Sequence, residues 1–189
     1  MWHKMMIVLL VLTLLLSSQA SAHDFSRFKV VQAKGQFSQA KQFTFLKRAI
    51  KSQGEFVIYG QHVYWHTLTP VSSEMLLLPT GIYSRLQSQQ QYQIVTQEKQ
   101  FNQLLAKLLS GNIDNSDWQI SLLDPQCYQL IPVLPEIANL FTKVKLCASD
   151  DSQRNIVITD QQNNQTEITM QITSKELNQG DMDAVKLND

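Results

Sequence analysis

Short apolar stretches, separated by glycine, proline and polar clusters, run along most of the chain. Stretches of this length with such boundaries are typical of β-strands. Because the connections between them are short, the pattern favours one meandering antiparallel sheet in a mainly β (α+β) fold. The predicted strands lie near 29–40, 41–50, 53–59, 62–69, 74–79, 81–87, 91–96, 117–123, 127–131, 141–148, 154–160 and 166–173.

Two segments have helical rather than strand-like spacing. In "EKQFNQLLAKLLSG" the apolar residues recur three or four positions apart, and Gly111 stands where a helix of about 12 residues would end. The apolar stripe of this helix consists of Phe101, Leu104, Leu105, Leu108 and Leu109. The segment "PVLPEIANLF" predicts a second, shorter helix, with Pro135 in its first turn.

The early and late strands differ in how many apolar faces they have. In the last strand Ile168, Met170 and Ile172 alternate with polar residues, as expected when one face packs on a core and the other meets water. The stretches "EFVIY" and "EMLLLP" are apolar on both faces. The helices can cover part of one face, and what remains is either densely packed side chains or a cavity for an apolar guest.

The N-terminus has the pattern of a secretory signal peptide. Lys4 precedes an apolar run from Met5 to Leu16, and Ala20-Ser21-Ala22 forms a cleavage-type end. The run is too short to span a bilayer, which takes roughly 20 residues. We therefore predict a signal peptide at 1–22, cleaved after Ala22, and one exported domain at 23–189.

Two cysteines in an exported chain suggest one disulfide. Cys127 and Cys147 lie in strand-like segments at equal distances from residue 137, so they would face each other if those strands pair antiparallel. The alternative is a pair of buried free thiols.

Composition and motifs offer no catalytic, metal or nucleic-acid site. Without Lys4 the chain has fifteen basic and sixteen acidic residues, a net charge of −1, and no basic run that would suit nucleic acid. In an extended strand His62 and His66 are roughly 13 Å apart, too far to share a metal ion. No nucleophile, general base or phosphate-binding glycine loop stands out. We predict a protein that is not an enzyme and needs no cofactor.

The order of several single residues resembles a known family. The stretch "GQFSQAKQFTFLKRAIKSQGEFVIYGQHVYWHTLTP" continues through "SSEMLLLPTGIYSRL", and "DWQISLLDP" follows later. The positions that carry the likeness are Phe37, Gln39, Leu46, Lys51, Ser52, Gly54, Trp65, Pro70, Gly81 and Trp118. This pattern resembles the periplasmic outer-membrane lipoprotein carriers, the LolA family, and especially their divergent LolA-like branch.

The resemblance implies an unclosed antiparallel β-barrel (half-barrel), with short helices forming a lid over a hydrophobic cavity. It implies a cavity wall of Phe56, Ile58, Val63, Trp65, Met75 and Leu77, and a lid formed by Phe101, Leu104, Leu105 and Leu108. The arginine that holds the lid shut in the main carriers is missing, and Tyr59 or Gly60 stands in its place.

For function, the resemblance implies a monomeric periplasmic carrier of acylated lipoprotein or lipid cargo. Its partners would be an inner-membrane donor complex and an outer-membrane acceptor. Two alternatives stay open: a periplasmic lipid-sensing regulator, and a carrier of a non-lipoprotein lipid of the aryl-polyene type.

Overall fold

The computed structural model describes residues 25–187, so the predicted signal peptide lies outside the described residues. Within this range eleven strands form one sheet. Their bounds are β1 (Gln32–Gln42), β2 (Ile50–Tyr59), β3 (His62–Thr69), β4 (Ser73–Leu78), β5 (Gly81–Leu86), β6 (Gln93–Thr96), β7 (Trp118–Asp124), β8 (Cys127–Pro132), β9 (Phe141–Ala148), β10 (Gln153–Asp160) and β11 (Gln165–Ser174).

The sheet is antiparallel throughout and open. Its strand order is β6-β5-β4-β3-β2-β1-β11-β10-β9-β8-β7, with β6 and β7 as its two edges. Strands that follow each other in sequence are neighbours, with the exception of β6 and β7. The pairing of β1 with β11 joins the early half of the sheet to the late half. The predicted fold class, mainly β with an unclosed antiparallel sheet and short helices, is confirmed.

The predicted strand at 41–50 is wrong. β1 continues to Gln42, β2 begins at Ile50, and the residues between them form a loop. Phe43 and Phe45 contact each other in this loop, with their ring centroids 5.3 Å apart. Their spacing of two therefore reflects a local ring pair rather than pairing in the sheet.

One face of the sheet, here called the inner face, carries the main core. Cross-strand partners such as Phe37 and Met170, or Ile58 and Val63, lie together on it. Side chains from both halves belong to one buried cluster, so the sheet curves around its inner face. Its members include Phe37, Ile58, Val63, Leu77 and Ile82 from the early half and Leu130, Leu146, Ile156 and Met170 from the late half.

Both predicted helices pack on the inner face. Helix α1 (Lys99–Ser110) contacts β4 and β5, and Leu104 and Leu108 on it are buried. Helix α2 (Pro135–Ala138) is only four residues long and buries Ile137 near β8 and β9. A 3₁₀ turn at Ser26–Phe28 adds Phe28, which is also buried.

The outer face of the early strands is covered by a helix that the sequence pattern did not predict. Asn178 is the N-cap of helix α3 (Gln179–Ala184), and its side chain accepts a hydrogen bond from the Asp181 amide in a capping box. Asp181 also forms a 2.7 Å ion pair with Lys34 of β1. The helix lies over β2, and Val185 directly after it is buried. This explains why Val57, on the outer face of β2, is apolar.

Farther toward the β6 edge, the outer face is covered by its own side chains. Leu76, Leu78 and Tyr83 form a small second buried cluster, with Tyr64 and Tyr92 packed against it. The apolar residues Val57, Leu76 and Tyr83 on the outer face of the early strands are therefore covered by protein.

Cys127 and Cys147 are direct cross-strand partners in β8 and β9. Their Cα atoms are 4.2 Å apart, and the structure joins their sulfur atoms in a disulfide. The bond links neighbouring strands near the β7 edge and spans the connection that contains α2.

Two glycines with positive φ give a matched test of how α1 is fixed. In Gly111, with φ 68°, an added Cβ would lie 1.8 Å from the Phe28 carbonyl oxygen, whereas in Gly60, with φ 60°, it would meet nothing within 4 Å. We expect Gly60→Ala to cost about 1–2 kcal/mol of unfolding free energy from backbone strain alone. Gly111→Ala should cost about 1–3 kcal/mol more, because the Phe28 backbone must move. Urea unfolding measures both, and equal losses would contradict the close packing of Phe28 on the helix end.

The disulfide should stabilise the fold through its loop. Cys127→Ser combined with Cys147→Ser should lower the unfolding free energy by about 3 kcal/mol. The unreduced, denatured wild-type protein should show no reactive thiol. Two reactive thiols in that assay would contradict the bridge.

Candidate functional site

The six residues predicted to form a cavity wall lie together on the inner face. Strand register arranges them in two rows across β2, β3 and β4. The rows are Phe56–Trp65–Met75 and Ile58–Val63–Leu77. Sequence reasoning therefore found a genuine patch, although its role as a lipid-binding wall stays a prediction.

Both rows are buried except at Met75: Phe56 is 1% and Trp65 6% exposed. Ile58, Val63 and Leu77 are at most 1% exposed and belong to the packed core. Trp65 stacks on Phe37 with ring centroids 3.8 Å apart, and Met75 beside it is only partly buried. The row through Trp65 and Met75 is thus where the apolar core reaches accessible space.

A cavity of about 480 Å³ opens beside Trp65 and Met75. This volume falls within the range of about 300–1,000 Å³ that is usual for small-molecule sites. Its polar wall contains inner-face residues such as Thr67, Ser73 and Ser84, so an amphipathic ligand would meet both kinds of surface. The lining residues are Gln39, Trp65, Thr67, Ser73, Glu74, Met75, Ser84, Arg85, Leu86, Gln89 and Gln93.

Two of the lining residues, Glu74 and Arg85, direct their side chains to the outer face, where they belong to a hydrogen-bonded charge network. Glu74 accepts hydrogen bonds from Arg85 and from the Tyr92 hydroxyl. Burial raises the pKa of the Glu74 carboxyl, but the hydrogen bonds from Tyr92 and Arg85 outweigh burial and lower that pKa overall. Both charges have partners, so the network holds β4 to β5 and to Tyr92, which directly precedes β6.

Helix α1, the predicted lid, packs on the inner face of the sheet, and its role as a lid stays a prediction. Leu104 and Leu108 are buried in the core, and Phe101 and Leu105 pack against it from partly buried positions. Its C-terminal end is fastened by a hydrogen bond from the Val30 amide to the Ser110 carbonyl and by a 2.7 Å ion pair between Lys107 and Asp117.

The N-terminal end of α1 is held less firmly. Glu98 occupies the N-cap position and makes no side-chain capping bond. The strand before it, β6, is an edge strand whose Ile94 and Val95 are exposed. The hydrogen bond and the ion pair described above therefore both lie at the C-terminal end of α1, and the N-terminal end has no side-chain cap.

Buried polar groups without hydrogen-bond partners accompany this apolar face. Within the described residues, both side-chain amide atoms of Asn102, the Trp118 indole nitrogen, and Nε and Nη1 of Arg154 have no partner. Asn102 lies on α1, Trp118 on β7 and Arg154 on β10. A buried unsatisfied group lowers the free energy of unfolding by about 1–3 kcal/mol, so these groups make the folded protein less stable.

Sequence reasoning did not single out Asn102 or Arg154, and it named Trp118 only as a position of the family pattern. The signal for Arg154 was present, because it alternates in phase with Ile156 and Ile158 and so shares their face of β10. Asn102 is next to Phe101 in the helix, and only the wide buried surface of α1 shows that it is covered.

No metal or membrane-spanning element is found in the described part of the chain. His62 and His66 lie on the outer face of β3, and no group of three or more His, Cys, Asp or Glu side chains between residues 25 and 187 could hold a metal ion. None of the helices in that range has the length and apolar content needed to cross a bilayer.

Comparison with known proteins finds a likeness to solved structures. No family model matches the chain, and no curated protein matches it. Among solved structures, the crystal structure of a LolA superfamily protein, NE2245 from Nitrosomonas europaea, aligns with 79% of this chain and 88% of its own chain. The identity is 10% and the TM-score 0.43, values at which the likeness carries no argument about function.

Asn102 gives a test of the closed helix. Asn102→Leu removes two unsatisfied amide atoms from a buried position, so it should raise the unfolding free energy by about 1–3 kcal/mol. Gln103→Leu, at a partly exposed site on the same helix, should change it by less than about 0.5 kcal/mol. Urea unfolding of the two variants provides the measurement. A destabilised Asn102→Leu would show that the amide is satisfied in solution.

Proposed function

We propose that this protein is an exported carrier that binds the acyl chains of lipoproteins or lipids on the inner face of its sheet and moves them between membranes. The observation that supports this proposal best is the row Phe56–Trp65–Met75, an apolar surface that runs from a 480 Å³ cavity into a core covered by an amphipathic helix. Transport from the inner to the outer membrane, with a donor complex and an acceptor, is part of the proposal. The signal peptide pattern at 1–22 supports the periplasm as its place of action.

Acyl binding requires that the ligand take over contacts now made by α1. Lifting the N-terminal end of the helix would expose the leucine stripe and the inner face below it. An acyl chain regains roughly 0.8 kcal/mol for each methylene that it buries there. A flexible side chain such as Met75 can adapt to chains of different shape.

The structure favours cargo binding over catalysis as the use of this surface. Glu74 and Arg85, the charged residues beside the cavity, direct their side chains to the outer face and are paired with each other. Neither of them is placed as a free nucleophile or general base. A lipid-sensing regulator with the same ligand would need a partner surface in addition to the cavity, and it is the second candidate.

The proposal is tested with a fluorescent fatty acid. Met75→Glu places a carboxylate at a partly buried position on the cavity wall, where an acyl chain would have to desolvate it. We expect the wild type to bind the probe and Met75→Glu to bind it at least about tenfold more weakly, a loss of about 1.4 kcal/mol. Fluorescence titration measures the affinity, and thermal melting verifies that the variant is folded.

Ile94→Glu is the matched control. It places the same charge on the outer face of β6, where Ile94 is 58% exposed and pairs with Tyr83. Affinity should stay at the wild-type value. Equal losses in both variants, or a folded Met75→Glu that binds normally, would remove the cavity from the binding site.

A further inference from the structure

Arg154 is a buried cation on the inner face of the late half of the sheet. It is 2% exposed, and its cross-strand partners are Ala148 on β9 and Met170 on β11. Both partners belong to the main core. Since directly paired residues in a sheet share a face, the Arg154 side chain points toward the interior that the helices cover.

This guanidinium has no anion of its own. No salt bridge is found for it among residues 25–187, and its Nε and Nη1 atoms lack hydrogen-bond partners. Burial lowers the pKa of Arg154 to about 10, although the exposed Asp151 opposes that shift, so the group is charged at neutral pH. A buried charge without a partner is strongly unfavourable, and buried charges in proteins are normally paired.

Other basic groups of the protein show what a purely structural cation looks like here. Lys34, Arg85 and Lys107 are all more exposed than Arg154, and each has a carboxylate oxygen within 2.8 Å. Arg154 is the opposite: it is deeper and unpaired. Each of these three cations therefore has a carboxylate beside it, and Arg154, within the described residues, has none.

A row of buried, packed apolar side chains connects Arg154 to the cavity beside Trp65. Arg154 pairs with Met170, Met170 pairs with Phe37, and Phe37 stacks on Trp65. The path crosses four strand spacings from β10 to β3, or about 19 Å at about 4.8 Å per spacing. Each leaflet of a bilayer core is about 15 Å thick, so the path is about as long as one extended acyl chain.

We propose that Arg154 binds the anionic end group, a carboxylate or phosphate, of a ligand whose acyl chain lies along Met170, Phe37 and Trp65. This inference rests on the proposed function and specifies its ligand as an acidic amphiphile. A guanidinium offers the planar, paired donors that match both oxyanions. The bound anion would compensate the buried charge, so ligand binding would relieve a penalty that the empty protein carries.

The test compares acidic and neutral probes with the same chain. Oleate and oleyl alcohol are titrated below their aggregation concentrations against the wild type, Arg154→Met and Arg154→Lys. The wild type should bind oleate about tenfold to a hundredfold more tightly than the alcohol, as expected for a charge-assisted hydrogen bond. Arg154→Met should bind both probes equally, with alcohol affinity unchanged, and Arg154→Lys should keep part of the preference. Oleoyl lysophosphatidate and inorganic phosphate separate a phosphate-bearing lipid from the free anion.

Arg48→Met, at an exposed loop position, controls for net charge and should keep the oleate preference. Thermal melting verifies that Arg154→Met is folded. Because this variant loses a buried unpaired charge, it should melt at or above the wild-type temperature.

An unchanged oleate preference in Arg154→Met would overturn the inference. Wild-type protein that binds both probes equally would overturn it too, while leaving the carrier proposal in place. Binding of neither probe would remove the carrier proposal and this inference together. Inorganic phosphate that binds as tightly as oleoyl lysophosphatidate, in an Arg154-dependent way, would overturn the acyl part.

Discussion

The burial of one apolar face of an open sheet is the constraint on which the rest of this structure depends. Eleven strands present a continuous inner face, and nothing closes β6 against β7 to hide it. Between residues 25 and 187, the helical segments that cover that surface are α1, α2 and the turn at Ser26–Phe28. The sheet must therefore curve, and each helical segment must bury its apolar side chains in the same cluster. The Gly111 contact with Phe28 follows from this, because the end of α1 has to meet the N-terminal segment closely.

Much of this arrangement could be predicted from local pattern. The spacing of Leu104, Leu105 and Leu108 identified α1 and its buried side, and period-two alternation identified the inner face of β11. The two-faced early strands correctly indicated a second cover. Its identity was not predictable by periodicity, because α3 is six residues long and depends on a capping box and on the Lys34–Asp181 pair, which is distant in sequence.

The candidate site was predictable only in part, for a related reason. Apolar residues such as Trp65 and Met75 lie on one face of their strands, and the alternation of residues along a strand predicts which residues share a face. The polar members need three-dimensional information, since an arginine in a strand is ordinarily solvated and only sheet register and helix coverage show that Arg154 is not. Likewise Phe43 and Phe45 have strand-like spacing but pair with each other in a loop, which no alternation rule distinguishes.

Several polar groups that are satisfied lie on one side of this sheet, and polar groups that are not lie on the other. On the outer face Glu74, Arg85 and Tyr92 satisfy one another, and α3 is held by a capping box and an ion pair. On the covered side Asn102 and Arg154 remain unsatisfied. An interior that only had to be stable would gain by replacing both with apolar residues. The covered interior is therefore less stable than an apolar interior of the same shape would be. The anionic group of the proposed acidic ligand would compensate the charge of Arg154.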